Sequence, residues 1–76
     1  MKKELFLSEI SEILLLDNVC NENDILDDFD EWDSLARMSI AAFYNKNFDS
    51  SITFDDLQNL KTVKDLLKLA GDNIDD

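Results

Sequence analysis

The chain has 76 residues, enough for one small domain, and its 45% hydrophobic residues favour a folded core over disorder. Acidic residues outnumber basic ones by 18 to 7, for a net charge of −11 at neutral pH. This charge repels phosphates, so it argues against nucleic-acid partners and against binding to an anionic membrane surface. It either favours protein partners that carry basic patches or only keeps a small protein soluble.

Histidine is absent and Cys20 is the only cysteine, so the chain has neither a Ser–His or Cys–His pair nor the ligands of a zinc site. The acidic residues around Cys20 disfavour its thiolate. We therefore expect a protein that is not an enzyme and binds no metal. We find no signal peptide, no transmembrane segment and no heptad seam, and we expect a cytoplasmic monomer.

The first predicted helix runs from about Lys3 to Leu16. Within it, Phe6, Ile10, Ile13 and Leu14 recur at i, i+4, i+7 and i+8, which is the spacing of one buried stripe.

A long loop is predicted from Asp17 to Asp33, with eight acidic residues and no basic one. A structureless loop of this length is unusual in a compact domain. Its hydrophobic residues predict that it packs across the helices; they are Ile25, Leu26, Phe29 and Trp32.

The second predicted helix begins at Ser34 and reaches about Asn47, and either Asp33 or Ser34 is placed to cap its first amides. Apolar residues leave few polar positions on this helix, so we expect it to lie centrally or to show apolar surface to a partner. The stripe predicted to face the core consists of Leu35, Met38, Ala41 and Ala42.

A short third helix is predicted from Phe54 to Leu60 and a last helix from about Val63 to Gly71, which is placed to end it. Thr53 with Asp56, and Thr62 with Asp65, have the spacing of capping boxes. We expect residues 72–76 to fray. Three longer helices and one short helix predict an all-α bundle in a single domain that spans residues 1–76.

A serine at a helix start most often serves as a cap, and on position alone Ser34 has that role. Its context indicates more. The quartet Trp32-Asp33-Ser34-Leu35 follows a long acidic loop and opens an amphipathic helix, and apolar residues recur from Leu35 to Val63. This arrangement resembles the acyl carrier protein family, including the peptidyl and aminoacyl carriers, and the quartet looks like one branch of that family. The resemblance covers nearly the whole chain and is best from Trp32 to Ala70. It implies a four-helix bundle of acyl-carrier type.

The resemblance implies that Ser34 bears 4′-phosphopantetheine through a phosphodiester, installed by a separate phosphopantetheinyl transferase. Asp33 would cap the helix and help to present Ser34. Leu35 would lie near the arm and meet partner enzymes, although plain core packing is an equal alternative. The chain would then hold acyl groups as thioesters and shuttle them between acyl-loading and acyl-transfer enzymes.

The chain departs from the fatty-acid-synthesis carriers in its second helix, which has no acidic residue between Leu35 and Phe48. This departure indicates a specialised carrier whose partners recognise a less charged helix. The residues expected to meet those partners are Trp32, Arg37, Met38 and Lys46. Two alternatives stay open. One is an aminoacyl or peptidyl carrier, and the other is an acidic helical interaction module without a prosthetic group.

Overall fold

The computed structural model describes residues 1–75. These residues form four α-helices: α1 (Lys3–Ile13), α2 (Ser34–Phe48), α3 (Phe54–Gln58) and α4 (Val63–Ala70). Two single turns of 3₁₀-helix lie at Leu26–Asp28 and Gly71–Asn73. Within the described part of the chain there is no strand, only two isolated bridges. The predicted all-α class is therefore confirmed.

The first helix ends three residues earlier than predicted, at Ile13. The amide of Leu16 donates to the carbonyl of Ser11 and that of Leu15 to the carbonyl of Glu12, which is the hydrogen-bond pattern of a Schellman motif. Leu15 consequently adopts a left-handed backbone, with φ of 57°. Leucine is an unusual residue there because its Cβ is disfavoured in that conformation, and this is why periodicity alone extended the helix too far.

Aromatic rings from α1 and α2 form the centre of the core. The ring centroid of Phe6 lies 5.9 Å from that of Phe43, 6.0 Å from that of Tyr44 and 6.3 Å from that of Phe48. The Tyr44 hydroxyl donates to the backbone carbonyl of Leu66, which joins α2 to α4. Around the rings lie fully buried aliphatic side chains: Ile10, Leu14, Leu26, Ile40, Leu57, Val63 and Leu66.

Of the stripe predicted to face the core on α2, only Ala41 is buried, and the prediction is wrong for the other three residues. Leu35 is 72% exposed and Met38 58% exposed, while Ala42 is exposed as well. The buried face consists of Ala36, Ile40, Ala41 and Tyr44. Because apolar residues surround most of α2, its sequence has no polar side to indicate the orientation, and packing of Tyr44 against α1 and α4 decides it.

The acidic loop between α1 and α2 packs across the other helices, as predicted. Leu26 donates its amide to the Lys61 carbonyl at 2.9 Å, and Val63 donates to the Asp24 carbonyl at 3.0 Å. At the other side, the amide of Cys20 donates to the Ser11 hydroxyl at 2.8 Å. These bonds attach the loop to the α3–α4 connection and to α1.

The chain ends lie beside each other. Gly71 follows the last residue of α4 with φ of 59°, a conformation that suits glycine, as predicted. The amide of Lys3 donates to the Asp75 carbonyl at 3.0 Å, and the amide of Asp75 donates to the Met1 carbonyl at 2.7 Å. Asn73 and Asp75, which lie in the segment 72–76 expected to fray, thus bond to the first residues of the chain; Asp76 lies outside the described residues. Helices within residues 1–75 lack the length and apolar character needed to cross a membrane.

Candidate functional site

The start of α2 (residues 32–38) contains most of the predicted site residues. Asp33 is the N-cap, and its Oδ1 accepts a hydrogen bond from the Ala36 amide at 2.9 Å. The Asp33 carbonyl accepts from the Arg37 amide at 3.0 Å, the first backbone bond of the helix. Of the two capping candidates, Asp33 therefore has the role, and the exposed Ser34 hydroxyl is left out of the cap.

The backbone at the helix start suits a phosphoryl group on Ser34. The amides of Ser34 and Leu35 precede the first intrahelical hydrogen bond, so they have no partner within the helix. They also lie at the positive end of the helix dipole, which stabilises a negative charge. The first turn of α2 contains no acidic side chain, although the Asp33 carboxylate directly precedes it. The residues present therefore fit a phosphodiester at the Ser34 oxygen.

Leu35 and Met38 lie on the outward side of α2, close to Ser34 in sequence. Their exposure of 72% and 58% excludes core packing as the role of either side chain. Ala42 continues the same face one turn further along, since residues spaced i, i+3 and i+7 align on a helix. The three residues form an outward apolar strip that begins beside Ser34.

Trp32 and Arg37 belong to one aromatic sandwich. The Arg37 Cζ lies 5.1 Å from the ring centroid of Trp32 and 5.8 Å from that of Phe54. Trp32 is only 7% exposed and belongs to the core cluster. Its ring is therefore not presented at the surface, and its role in meeting partners stays a prediction. Sequence reasoning missed Phe54 as the second ring, since no local pattern links it to Arg37.

Lys46 lies near the other end of α2, away from Ser34 along the helix. It is exposed and borders a surface depression of about 420 Å³ between α1 and α2. Leu5, Ala42 and Phe43 also line this depression. The structure thus leaves Met38 and Lys46 on the surface, half-buries Arg37 and buries Trp32.

The other reactive groups of the chain are arranged for packing. Burial, and to a smaller extent the nearby Asp24 carboxylate, raises the pKa of the Cys20 thiol. Burial likewise raises the pKa of Tyr44 well above its usual range. Both groups therefore stay protonated at neutral pH and are poor nucleophiles.

Within the residues that the structure describes, no group of three or more Cys, Asp or Glu side chains is arranged to hold a metal ion. Side chains that could line a space for cargo inside the bundle are Phe43, Ile52, Phe54, Leu60 and Val63. Val63 is fully buried, and the other four are partly buried. The described residues also form two other surface depressions, of about 270 and 470 Å³. The first is lined by residues that include Lys64, Lys68 and Gly71, and the second by Lys2, Lys3, Glu4 and Asp75. Comparison of the chain with models of known protein families, with curated proteins and with solved structures gives no match.

Proposed function

We propose that the chain is a carrier protein that bears 4′-phosphopantetheine on Ser34 and shuttles acyl groups between enzymes. The four helices would then be a bundle of acyl-carrier type. One observation carries the proposal: Ser34 is exposed at the first position of α2, while Asp33 supplies the cap that a serine there would otherwise provide. The Ser34 hydroxyl is not needed for the cap, and it lies at a helix start whose amides can bind a phosphate. It is therefore suited to covalent modification.

In this proposal the chain positions the Ser34 hydroxyl, and the transferase catalyses attachment of the arm. Transfer from coenzyme A would join the Ser34 oxygen to the phosphorus of the arm, with the nucleotide as leaving group and the transferase taking the hydroxyl proton. This explains how a chain without histidine functions with Ser34, because the activating base belongs to the other protein. When bound, the arm supplies a thiol that holds an acyl group as a thioester.

The surface around Ser34 supports recognition by partners that read shape and apolar contact more than charge. The outward strip of Leu35, Met38 and Ala42 is apolar, and α2 carries no acidic residue. Eight of the acidic residues lie in the loop that precedes α2, so a partner at Ser34 approaches beside that loop. Aminoacyl or peptidyl cargo would use the same surface, since these carriers differ only in what the thioester holds.

Intact-protein mass spectrometry tests the proposal. The purified chain is incubated with coenzyme A and a broad-specificity phosphopantetheinyl transferase. We expect a mass gain of one phosphopantetheine unit in the wild type and none in Ser34→Ala. Ser39→Ala is the matched control, because it makes the same change at an exposed position of the same helix and should retain the gain.

Absence of a gain with several transferases would contradict the carrier proposal. Ser34 would then be a plain residue of the helix start, and the acidic interaction module would become the function to pursue. A gain that persists in Ser34→Ala would instead move the attachment to another residue.

A further inference from the structure

Arg37 is the only arginine of the chain. Its Nε is buried without a hydrogen-bond partner among residues 1–75, and so is the Nε1 of the neighbouring Trp32. Ion pairs of the described residues join Met1 to Asp75 and Lys3 to Glu22, and Arg37 takes part in neither. A half-buried guanidinium without a carboxylate is unexpected in a chain with 18 acidic residues.

The guanidinium is held at the end of α2 where Ser34 lies. Helical side chains lean toward the helix N-terminus and cover the turn before their own Cα. Contact with Trp32, which precedes the helix, shows that Arg37 reaches back along α2 as far as its start. Ser34 and Arg37 are spaced i, i+3, the separation of side chains that meet on a helix surface.

Asp33, four residues before Arg37, uses one carboxylate oxygen as the helix cap. Asp33 gives its Oδ1 to the Ala36 amide, and it does not form an ion pair with Arg37. The rings of Trp32 and Phe54 hold the guanidinium in place, so its position is set before any anion arrives. Guanidinium groups match the oxygens of a phosphate in a forked geometry and prefer it to most other partners.

We propose that Arg37, held between Trp32 and Phe54, binds the phosphodiester of the arm carried on Ser34. The inference rests on the proposed function and adds to it one residue that holds the arm. Arg37 supplies a positive charge that offsets the phosphodiester next to Asp33 and the acidic loop, while the amides of Ser34 and Leu35 face the same group. The guanidinium of Arg37 gains acceptors when the arm is attached.

Nuclear magnetic resonance of the wild type tests this directly, because one arginine and one tryptophan give single, assignable side-chain signals. The ¹⁵N-labelled chain is compared before and after loading, with loading verified by mass. On loading we expect the Arg37 Nη–H signals to move downfield and their exchange with water to slow about tenfold, as a new hydrogen bond to a charged group predicts. A through-bond correlation between an Arg37 N–H and the phosphorus is also expected.

Variants supply a second readout. Loading should raise the melting temperature of the wild type and of Lys68→Gln, which removes the same charge from an exposed position on α4, but not that of Arg37→Gln. Arg37→Lys should keep only part of the increase, because lysine lacks the forked geometry.

The outcomes are separable. A wild type that gains no mass refutes the proposed function and this inference with it. A loaded wild type whose Ser34 and Leu35 amides shift while the Arg37 signal stays unchanged refutes this inference alone. Equal gains in melting temperature for Arg37→Gln and Lys68→Gln would also overturn it.

Discussion

The two ends of α2 use similar residues for opposite purposes. At its C-terminal end, Phe43, Tyr44 and Phe48 pack with Phe6 in one ring cluster, and the Tyr44 hydroxyl bonds to α4. At the α2 start, Leu35 and Met38 face outward, and two buried N–H donors have no acceptor among residues 1–75. The C-terminal end of α2 is thus packed inside the protein, whereas its start keeps exposed apolar side chains and buried N–H donors without acceptors.

The difference indicates where stability and function are located. The ring centroids at the C-terminal end lie 5.6–6.3 Å apart, so these rings are engaged mainly with one another. Exposed apolar side chains and unpaired donors cost free energy in the isolated chain unless something covers or accepts them. We therefore expect substitutions in the ring cluster to affect folding, and substitutions at the α2 start to affect loading and recognition.

The largest expected effect is that of Phe6→Ala. Removing the ring at the centre of the cluster should lower the free energy of unfolding by about 3–5 kcal/mol. A domain of this size is stable by only roughly 4–11 kcal/mol, so the variant should be partly unfolded at moderate temperature. Urea denaturation followed by circular dichroism measures the change.

Leu35→Ala is the matched comparison, because it truncates a large apolar side chain at the exposed end. We expect a change within about 0.5 kcal/mol. A loss comparable to that of Phe6→Ala would show that Leu35 is part of the core and would remove the contrast between the two ends.

Next in size is the effect of high pH through Tyr44. Burial raises its folded-state pKa above the unfolded value, so the neutral phenol is favoured by folding. Its contribution is fully present below the unfolded pKa and is lost as the pH rises past about 10. Stability should therefore fall more steeply above that pH in the wild type than in Tyr44→Phe.

Tyr44→Phe should itself cost about 1 kcal/mol at neutral pH, the typical net contribution of one hydrogen bond. As the chain has one tyrosine, tyrosinate absorbance reports this residue alone and should appear together with unfolding. Tyrosinate that forms near pH 10 in a fully folded chain would contradict the assigned burial.

The smallest expected effect is the difference in stability between Asp33→Ala and Ser34→Ala. Asp33→Ala removes the observed cap and should cost about 1 kcal/mol, whereas Ser34→Ala should change stability by only a few tenths of that. Thermal unfolding of the unmodified proteins measures both. A cost for Ser34→Ala that equals or exceeds that of Asp33→Ala would make Ser34 the cap and remove the reason for regarding its hydroxyl as free.

Local hydrogen-bonding patterns were determined by the sequence itself. Thr53 with Asp56, and Thr62 with Asp65, begin α3 and α4 as predicted; the Asp56 carboxylate accepts from the Thr53 amide at 2.9 Å and that of Asp65 from the Thr62 amide at 3.1 Å. Each bond joins residues that are three apart in the sequence, so the local sequence is sufficient to predict it. The place of Ser34 at the head of α2 was equally predictable, because Asp33 caps it locally.

Only the tertiary structure decided which groups meet across the chain. The apolar residues of α2 are spread around the helix and mark no single side, so the burial of Tyr44 and the exposure of Leu35 depend on α1 and α4 packing against it. Arg37 meets the ring of Phe54, seventeen positions away, and residues 73–75 meet the first residues of the chain. Periodicity describes one helix at a time, while these contacts depend on how separate elements fill a shared volume.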